Sequence, residues 1–122
     1  MKEKKDTTEE KVIDASGKTL GRVASVAAAF LIGKHNTSYQ RNVYSGSRVK
    51  VVNASKLRIN AKKLEEVFHT RYSGYPGGLR ILKGTEIAEK KGLKEVIKIS
   101  VFGMLPKNKL KKSMMKSFKI ED

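Results

Sequence analysis

Two segments of the chain carry apolar residues at the spacing of an amphipathic helix. In residues 19–32 the apolar positions are Leu20, Val23, Ala24, Ala27, Phe30 and Leu31. In residues 93–105 they are Leu93, Val96, Ile97, Val101, Met104 and Leu105. Intervals of three and four residues place such side chains on one face, so each segment predicts a helix packed against a core. Gly33 and Pro106 follow the two segments and are typical of helix ends.

Shorter segments favour β-strands. Residues 48–53 alternate in polarity and are rich in valine, and residues 11–14 and 67–72 also predict strands. We expect residues 57–59 to be extended and residues 85–91 to form a further helix that Gly92 ends. The strand–helix–strand order over the first half leaves room for a right-handed crossover between parallel strands. The pattern therefore predicts an α/β layered domain with a largely parallel sheet.

The remaining segments read as termini and loops. Residues 1–10 are polar and charge-balanced, which predicts a flexible leader. Residues 35–47 form a polar loop, and residues 73–78, with three glycines and a proline, form another. Residues 107–122 are predicted as a basic C-terminal segment. Since no repeat is visible, we expect one domain over residues 11–122.

Composition excludes several classes of protein. The chain has 122 residues and no cysteine, which rules out a disulfide framework, thiol catalysis and Cys-ligated metals. Its longest apolar stretch, residues 23–32, is about half of the ~20 residues that a membrane span needs. The first residues lack the apolar run of a secretory signal. We therefore expect a cytoplasmic protein without a membrane partner.

Basic residues are far in excess and are concentrated in acid-free stretches. The chain has 27 Lys+Arg against 12 Asp+Glu, a net charge of +15. Residues 15–64 hold ten basic residues and residues 96–120 hold seven, without an acid in either stretch. Such stretches indicate a partner that supplies the negative charge, and a phosphate backbone is the leading candidate. A generic basic surface is the alternative; no basic amphipathic face with interleaved aromatics supports a membrane surface.

Ser16-Gly17-Lys18-Thr19 follows a predicted strand and precedes a predicted helix, so it resembles the end of a P-loop. The P-loop needs another glycine at the position that Val12 occupies, which disfavours a nucleotide-hydrolysis site. A helix start beside Lys18 and Arg22 is still suitable for a phosphate, including one of RNA. A plain turn with exposed basic residues is the alternative.

Little in the sequence supports a catalytic site or a metal site. His35 and His69 have no ligand-type partners at short spacing, and no D-x-D or comparable carboxylate cluster exists for Mg²⁺ chemistry. His35 follows Gly33-Lys34, where an RNA contact or a helix cap is favoured, and His69 is expected to be structural or half-exposed in a strand. We expect no catalytic residue, metal or cofactor.

Two further segments combine residue types that bind RNA. Residues 71–80 interleave arginine, tyrosine and glycine, which bind phosphate, stack on unpaired bases and allow close backbone approach, respectively. A flexible surface loop is the alternative there. Residues 107–119 contain six basic residues and no acid. This run favours a surface facing RNA over a merely solvated face.

Five segments together resemble one family, the bacterial form of the thirteenth protein of the large ribosomal subunit. They are residues 12–25, 33–35, 51–54, 72–79 and 103–110, and the last two, YSGYPGGL and GMLPKNKL, are highly characteristic. The resemblance implies a three-layer α/β/α domain around a four-stranded, mainly parallel sheet. It implies a non-enzymatic constituent of the cytoplasmic ribosome that binds large-subunit (23S-type) ribosomal RNA during assembly. Its other partners would be neighbouring ribosomal proteins, with the chain a monomer within the ribosome and no cofactor.

The resemblance and the charge pattern together nominate the RNA-binding residues. Those carried over from the family are Lys18, Arg22, Lys34, His35, Arg71, Tyr72, Ser73, Tyr75, Arg80, Lys107, Asn108, Lys109 and Lys111; the basic pattern adds Arg41, Lys112 and Lys116. The chain departs from the family at Ser47, where relatives commonly carry an acid. Two other functions stay open at this point, a small nucleotide-using enzyme built on the turn before the first helix and a nucleoid-type DNA-binding protein. No helix-turn-helix or dimerisation heptad supports the latter.

Overall fold

The computed structural model describes residues 10–37, 39–44 and 46–122, and within them it shows five strands, five α-helices and one 3₁₀ helix. In chain order these are β1 (Glu10–Asp14), α1 (Leu20–Ile32), β2 (Arg48–Val52), the 3₁₀ helix (Ala54–Lys56), α2 (Ala61–Glu66), β3 (Phe68–Tyr72), β4 (Leu79–Lys83), α3 (Gly84–Lys91), α4 (Leu93–Met104), α5 (Leu110–Lys116) and β5 (Phe118–Ile120). The mixed α/β class predicted from the pattern is confirmed.

The strands form two separate sheets. β1, β2 and β5 make a parallel sheet with β2 in the centre, and β3 and β4 make an antiparallel hairpin. Ile13, Val51 and Phe118 are buried on one face of the parallel sheet. On the opposite face Val12 is 62% exposed and Lys119 is also exposed. Side chains alternate between the faces of a strand, so one face of this sheet packs on the core. On the other face Lys50 and Val52 of the central strand are half-buried, while the edge strands stay exposed.

This arrangement corrects the expectation of a four-stranded, mainly parallel sheet within three layers. The strand at 67–72 pairs with β4 across the short glycine-rich loop and closes locally instead of joining the parallel sheet. The third parallel strand, β5, comes from the C-terminal segment. The described helices leave Val12 and Lys119 uncovered, which a helical layer on that face would bury.

Helices α1 and α4 form the centre of the core. Leu31 of α1 and Ile97 and Val101 of α4 are fully buried, in one apolar cluster with the buried side chains of the parallel sheet. α1 ends at Gly33, which adopts the left-handed conformation (φ 87°) and donates its N–H to the Ala29 carbonyl, the expected glycine cap. No helix in the described part of the chain is long and apolar enough to span a membrane.

The predicted elements at 11–14, 19–32, 48–53, 67–72, 85–91 and 93–105 are confirmed to within one residue at each end. The extended piece at 57–59 is present as bridges from Leu57 and Arg58 to the turn before α1. The pattern missed α2, β4, α5 and β5. The predicted leader, residues 1–10, lies outside the described residues apart from Glu10, which begins β1.

Candidate nucleic-acid interface

The start of α1 gathers more basic residues than the sequence pattern singled out. Lys18 and Arg22 are exposed there, as predicted. The Arg58 N–H donates to the Lys18 carbonyl at 3.0 Å, and the Gly17 N–H donates to the Lys56 carbonyl at 3.1 Å. These bonds bring Lys56 and Arg58, both exposed, beside Lys18. The four residues are called here the helix-start group; the signal for the two extra members was the acid-free stretch that contains them.

Asp14 holds the backbone of this group in place. Its Oδ1 accepts the Ser16 N–H at 2.9 Å and the Asn53 side-chain N–H at 3.0 Å. Asn53 lies in the left-handed region (φ 57°), which asparagine tolerates better than most residues. The Asn53 and Ser16 hydrogen bonds, aided by the charges of Lys18 and Lys56, lower the pKa of the Asp14 carboxyl. Asp14 is therefore ionised at neutral pH and links the ends of β1 and β2.

The turn before α1 does not form a phosphate cradle. The Ser16 N–H is bonded to Asp14, the Gly17 N–H to Lys56 and the Lys18 N–H to the Ala15 carbonyl at 3.1 Å. A P-loop needs these amides free to point at a phosphate. The geometry therefore agrees with the sequence argument against a nucleotide-hydrolysis site.

The far end of α1 contributes to a half-open cleft of about 430 Å³. Lys34 and Arg41, both predicted to bind RNA, line it together with Asn108, a predicted residue from a distant part of the chain. The described lining residues are Ile32, Lys34, Tyr39, Gln40, Arg41, Val43, Met104, Pro106, Asn108, Leu110 and Met114. Tyr39 lies in the predicted polar loop and is not among the predicted RNA-binding residues. Met104 is predicted to face the core, although it is 46% exposed.

His35 follows Lys34 of the cleft in the chain, but its side chain already contacts other residues of the protein. Its Nε2 lies 3.1 Å from the Ser47 hydroxyl, and its ring packs edge-on against Phe30 with a centroid distance of 5.0 Å. Ser47 is itself buried. One ring nitrogen of His35 is thus used in tethering the loop after α1, and the predicted RNA contact by His35 stays a prediction.

The basic segment after α4 presents most of its lysines to solvent. Lys107, Lys109, Lys112 and Lys116 are exposed. Lys111 instead places its Nζ 3.7 Å above the ring centroid of Phe102, a cation–π contact within the protein. Asn108 accepts the Leu110 N–H on its Oδ1 at 3.1 Å, so its carbonyl oxygen supports the start of α5.

The hairpin splits its predicted RNA-binding residues between two faces. Arg71 and Arg80 are directly opposite in the register, on the face that includes His69 and Leu82. Neither arginine forms an ion pair with a carboxylate of the described residues. Like charges in this position repel each other, and an anionic partner relieves the repulsion. Tyr72 lies on the other face, so it and the arginines do not form one surface.

The face with Tyr72 is exposed and largely apolar, although it also carries Thr70 and Lys83, and the sequence pattern did not indicate it. Phe68, Tyr72, Leu79 and Ile81 are between 58% and 68% exposed. The alternation of side chains along the two strands predicts this exposed face only if β4 is recognised as the partner of β3. In the loop, Ser73 accepts the Tyr75 N–H, and the Tyr75 side chain is 75% exposed.

The structure thus brings the predicted residues into three groups: the helix-start group, the cleft with the adjoining basic segment, and the hairpin. α1 has 13 residues and is therefore about 20 Å long, so Lys18 and Lys34 mark opposite ends of one rod. Ion pairs join Lys50 to Glu121 and Lys94 to Asp122, and no predicted lysine or arginine is paired with a carboxylate of the described residues. Across the described residues, no three His, Asp or Glu side chains are grouped to hold a metal.

Comparison with known proteins identifies relatives of this chain. A family model described as "Ribosomal protein L13" matches residues 8–120. Proteins named "Large ribosomal subunit protein uL13" are 45% identical in Caldanaerobacter subterraneus subsp. tengcongensis and in Thermus thermophilus, and 47% identical in Aquifex aeolicus. Each match spans 109 residues, which is 89% of this chain and 75–77% of the relative. The chain therefore belongs to the ribosomal protein L13 family.

Proposed function

We propose that the chain is a structural constituent of the large ribosomal subunit, located in the cytoplasm, that binds large-subunit ribosomal RNA and supports subunit assembly. Membership of the L13 family supports the ribosomal role, as do the names of its relatives. The proposed partners are this RNA and neighbouring large-subunit proteins, with the chain acting as a monomer and residues 11–122 as one domain. The function needs no catalysis and no cofactor.

One observation carries RNA binding in particular. The predicted lysines and arginines lie on the surface and are not paired with carboxylates of the described chain, while the net charge is +15. Concentrated, unneutralised positive charge attracts polyanions and gains free energy by releasing the counterions of a phosphate backbone. A protein that only needed solubility would mix both signs.

The proposed mechanism is charge neutralisation at fixed positions. The helix-start group and the cleft lie at opposite ends of α1, about 20 Å apart, and the packing of α1 against α4 holds that spacing. RNA segments that would repel each other can then approach the protein at both ends. Phosphate contacts of this kind fix position, and bases presented to the protein add specificity.

Sedimentation of a cell extract on a sucrose gradient tests the proposed function. We expect the tagged full-length chain to migrate with the large subunit and with whole ribosomes, and to leave them after a high-salt wash. A chain found only at the top of the gradient would contradict the proposal. Stoichiometric ATP binding by the purified chain would instead support a nucleotide-using enzyme, and a preference for duplex DNA over ribosomal RNA would support a nucleoid protein.

A further inference from the structure

We propose that the cleft at the far end of α1 binds a single unpaired nucleotide of RNA, with the base inserted between apolar side chains and the phosphate held at the rim. This inference rests on the proposed function, since it names what part of the RNA enters the cleft. It goes beyond charge neutralisation because a base recognised there supplies contacts that a phosphate alone does not.

Part of the cleft lining is apolar and only partly covered. Ile32, Val43, Met104, Leu110 and Met114 line it. Met114 is buried, whereas Met104 and Val43 are 46% and 50% exposed. Apolar surface left in water is costly, and a flat aromatic base would remove it from solvent. The volume of about 430 Å³ is in the range of pockets that bind small organic ligands, and methionine adapts to the shape of what it contacts.

The polar residues of the cleft are of the types that recognise a base. Tyr39 is half-buried in the lining and offers a ring for stacking. The Gln40 side chain carries both donors and an acceptor. The Oδ1 atom of Asn108 is occupied by the Leu110 N–H, which leaves its amide N–H₂ to donate. Donors and acceptors around an apolar slot can bind the edges of an unpaired base.

The charge of the lining favours a nucleotide over a peptide or an uncharged ligand. Lys34 and Arg41 are both exposed and line the cleft, and no carboxylate is among its described lining residues. Lys107 and Lys109 flank Asn108 in the chain and are also exposed. An RNA nucleotide combines a stacking base with an anionic phosphate, so it complements both the apolar and the cationic residues of the lining.

Nuclear magnetic resonance of the methionine ε-methyl groups tests the inference on the intact chain. The probes are the four ribonucleoside monophosphates, and ribose 5-phosphate, which has the sugar and phosphate but no base, is the control. We expect the monophosphates to shift the Met104 and Met114 signals by ring current and to leave Met115, which is not among the cleft residues, nearly unchanged. Absence of these shifts, or equal shifts with ribose 5-phosphate, would overturn the proposal.

A matched pair of substitutions tests the cleft on large-subunit ribosomal RNA itself. Val43→Trp fills the cleft, whereas Val26→Trp makes the same change at a valine of α1 that is 45% exposed and outside the cleft. Stacking contributes about 1–3 kcal/mol per base, so Val43→Trp should weaken RNA binding about 5- to 150-fold and abolish the methyl shifts. Val26→Trp should do neither.

The outcomes separate this inference from the proposed function. If the wild-type chain fails to bind ribosomal RNA, the proposed function fails, whatever the methyl signals show. If it binds this RNA but Val43→Trp and Val26→Trp are equivalent, only the cleft proposal is overturned. A third outcome is that Val43→Trp leaves the RNA affinity unchanged but the variant is lost from the large subunit. This would also overturn the cleft proposal and would assign the cleft to a protein partner.

Discussion

At the residue scale, Gly21 and Gly46 differ in whether a side chain would fit. A Cβ at Gly46 would collide with the backbone carbonyl of Leu31, where the loop after α1 returns against the helix end. A Cβ at Gly21, in the first turn of α1, would meet nothing within 4 Å. Of these two glycines, Gly46 is the one that close packing requires, because Leu31 is fully buried and its backbone has little freedom to move.

The first prediction is that the same substitution has opposite effects at these two positions. Gly46→Ala should lower the free energy of unfolding by about 1–3 kcal/mol through overpacking. Gly21→Ala should raise it by about 0.4–1 kcal/mol, because alanine restricts the unfolded chain and suits a helix. Urea denaturation of the two variants measures both changes. Equal effects in the same direction would show that the loop does not pack on Leu31 as described.

Asp14 is a second residue whose role depends on its surroundings. The carboxyl of Asp14 has a lowered pKa in the folded chain, chiefly through the Asn53 hydrogen bond. A group with a lowered folded pKa stabilises the protein above its unfolded pKa, about 3.9 for aspartate. That stabilisation is lost as the pH falls through the folded value.

The second prediction is therefore a pH-dependent effect of Asp14→Asn. The variant should be less stable than wild type at neutral pH, and the difference should shrink as the pH falls below about 4. Chemical denaturation at several pH values measures this difference in stability. Nuclear magnetic resonance of the Asp14 carboxyl group across the same pH range measures its pKa directly. A difference that stays constant down to the lowest pH at which both fold would contradict the electrostatic explanation.

At the element scale, the hairpin shows how far sequence patterns reach. The residues of β3 alternate visibly, and the glycine-rich loop after it was predicted, but β4 (LRILK) reads as a mixed basic and apolar segment. β4 is a strand because it pairs with β3. That pairing joins two separate segments, so the local pattern of β4 alone does not reveal it. β5 is likewise not visible in the local pattern. The spacing of Leu110, Met114 and Phe118 suits one helix, but the chain changes from helix to strand at Ser117.

The third prediction concerns the two arginines that face each other across the hairpin. Arg71→Gln with Arg80→Gln should weaken RNA binding and lower the slope of log affinity against log salt by about 1 per arginine. Stability should not fall for electrostatic reasons, because the substitutions remove a like-charge repulsion. Affinity for large-subunit ribosomal RNA at several salt concentrations and a urea curve measure the two effects.

Lys50→Gln with Lys94→Gln is the matched control. It removes the same two charges at lysines that already pair with Glu121 and Asp122 of the chain. An equal loss of affinity in both double variants would show that net charge alone matters. An unchanged affinity in the arginine variant would remove the hairpin from the interface.

At the scale of the whole molecule, the distribution of charge decides how binding responds to salt. The positive groups are spread over both ends of α1, the hairpin and the segment around α5, while few are neutralised within the described chain. Binding should therefore involve many phosphates at once, and each releases counterions.

The fourth prediction follows for the intact chain. If about 6–10 phosphates are engaged, RNA affinity should fall about 10³- to 10⁵-fold between 50 and 200 mM salt. Filter binding or fluorescence anisotropy across that range measures the slope. An affinity for RNA that does not depend on salt would contradict binding by charge neutralisation.

The sequence by itself determined the class of the fold, the two core helices, the basic character of the surface and the family. The first three follow from local periodicity and from composition, which depend on neighbours along the chain. The family follows from the resemblance of five segments to its motifs. Only the tertiary structure decided that the parallel sheet has three strands, that β3 pairs with β4, and that Lys34, Tyr39 and Asn108 border one cleft. Those facts depend on contacts between residues distant in the chain, and such contacts are selected by packing of the whole core rather than by any local pattern.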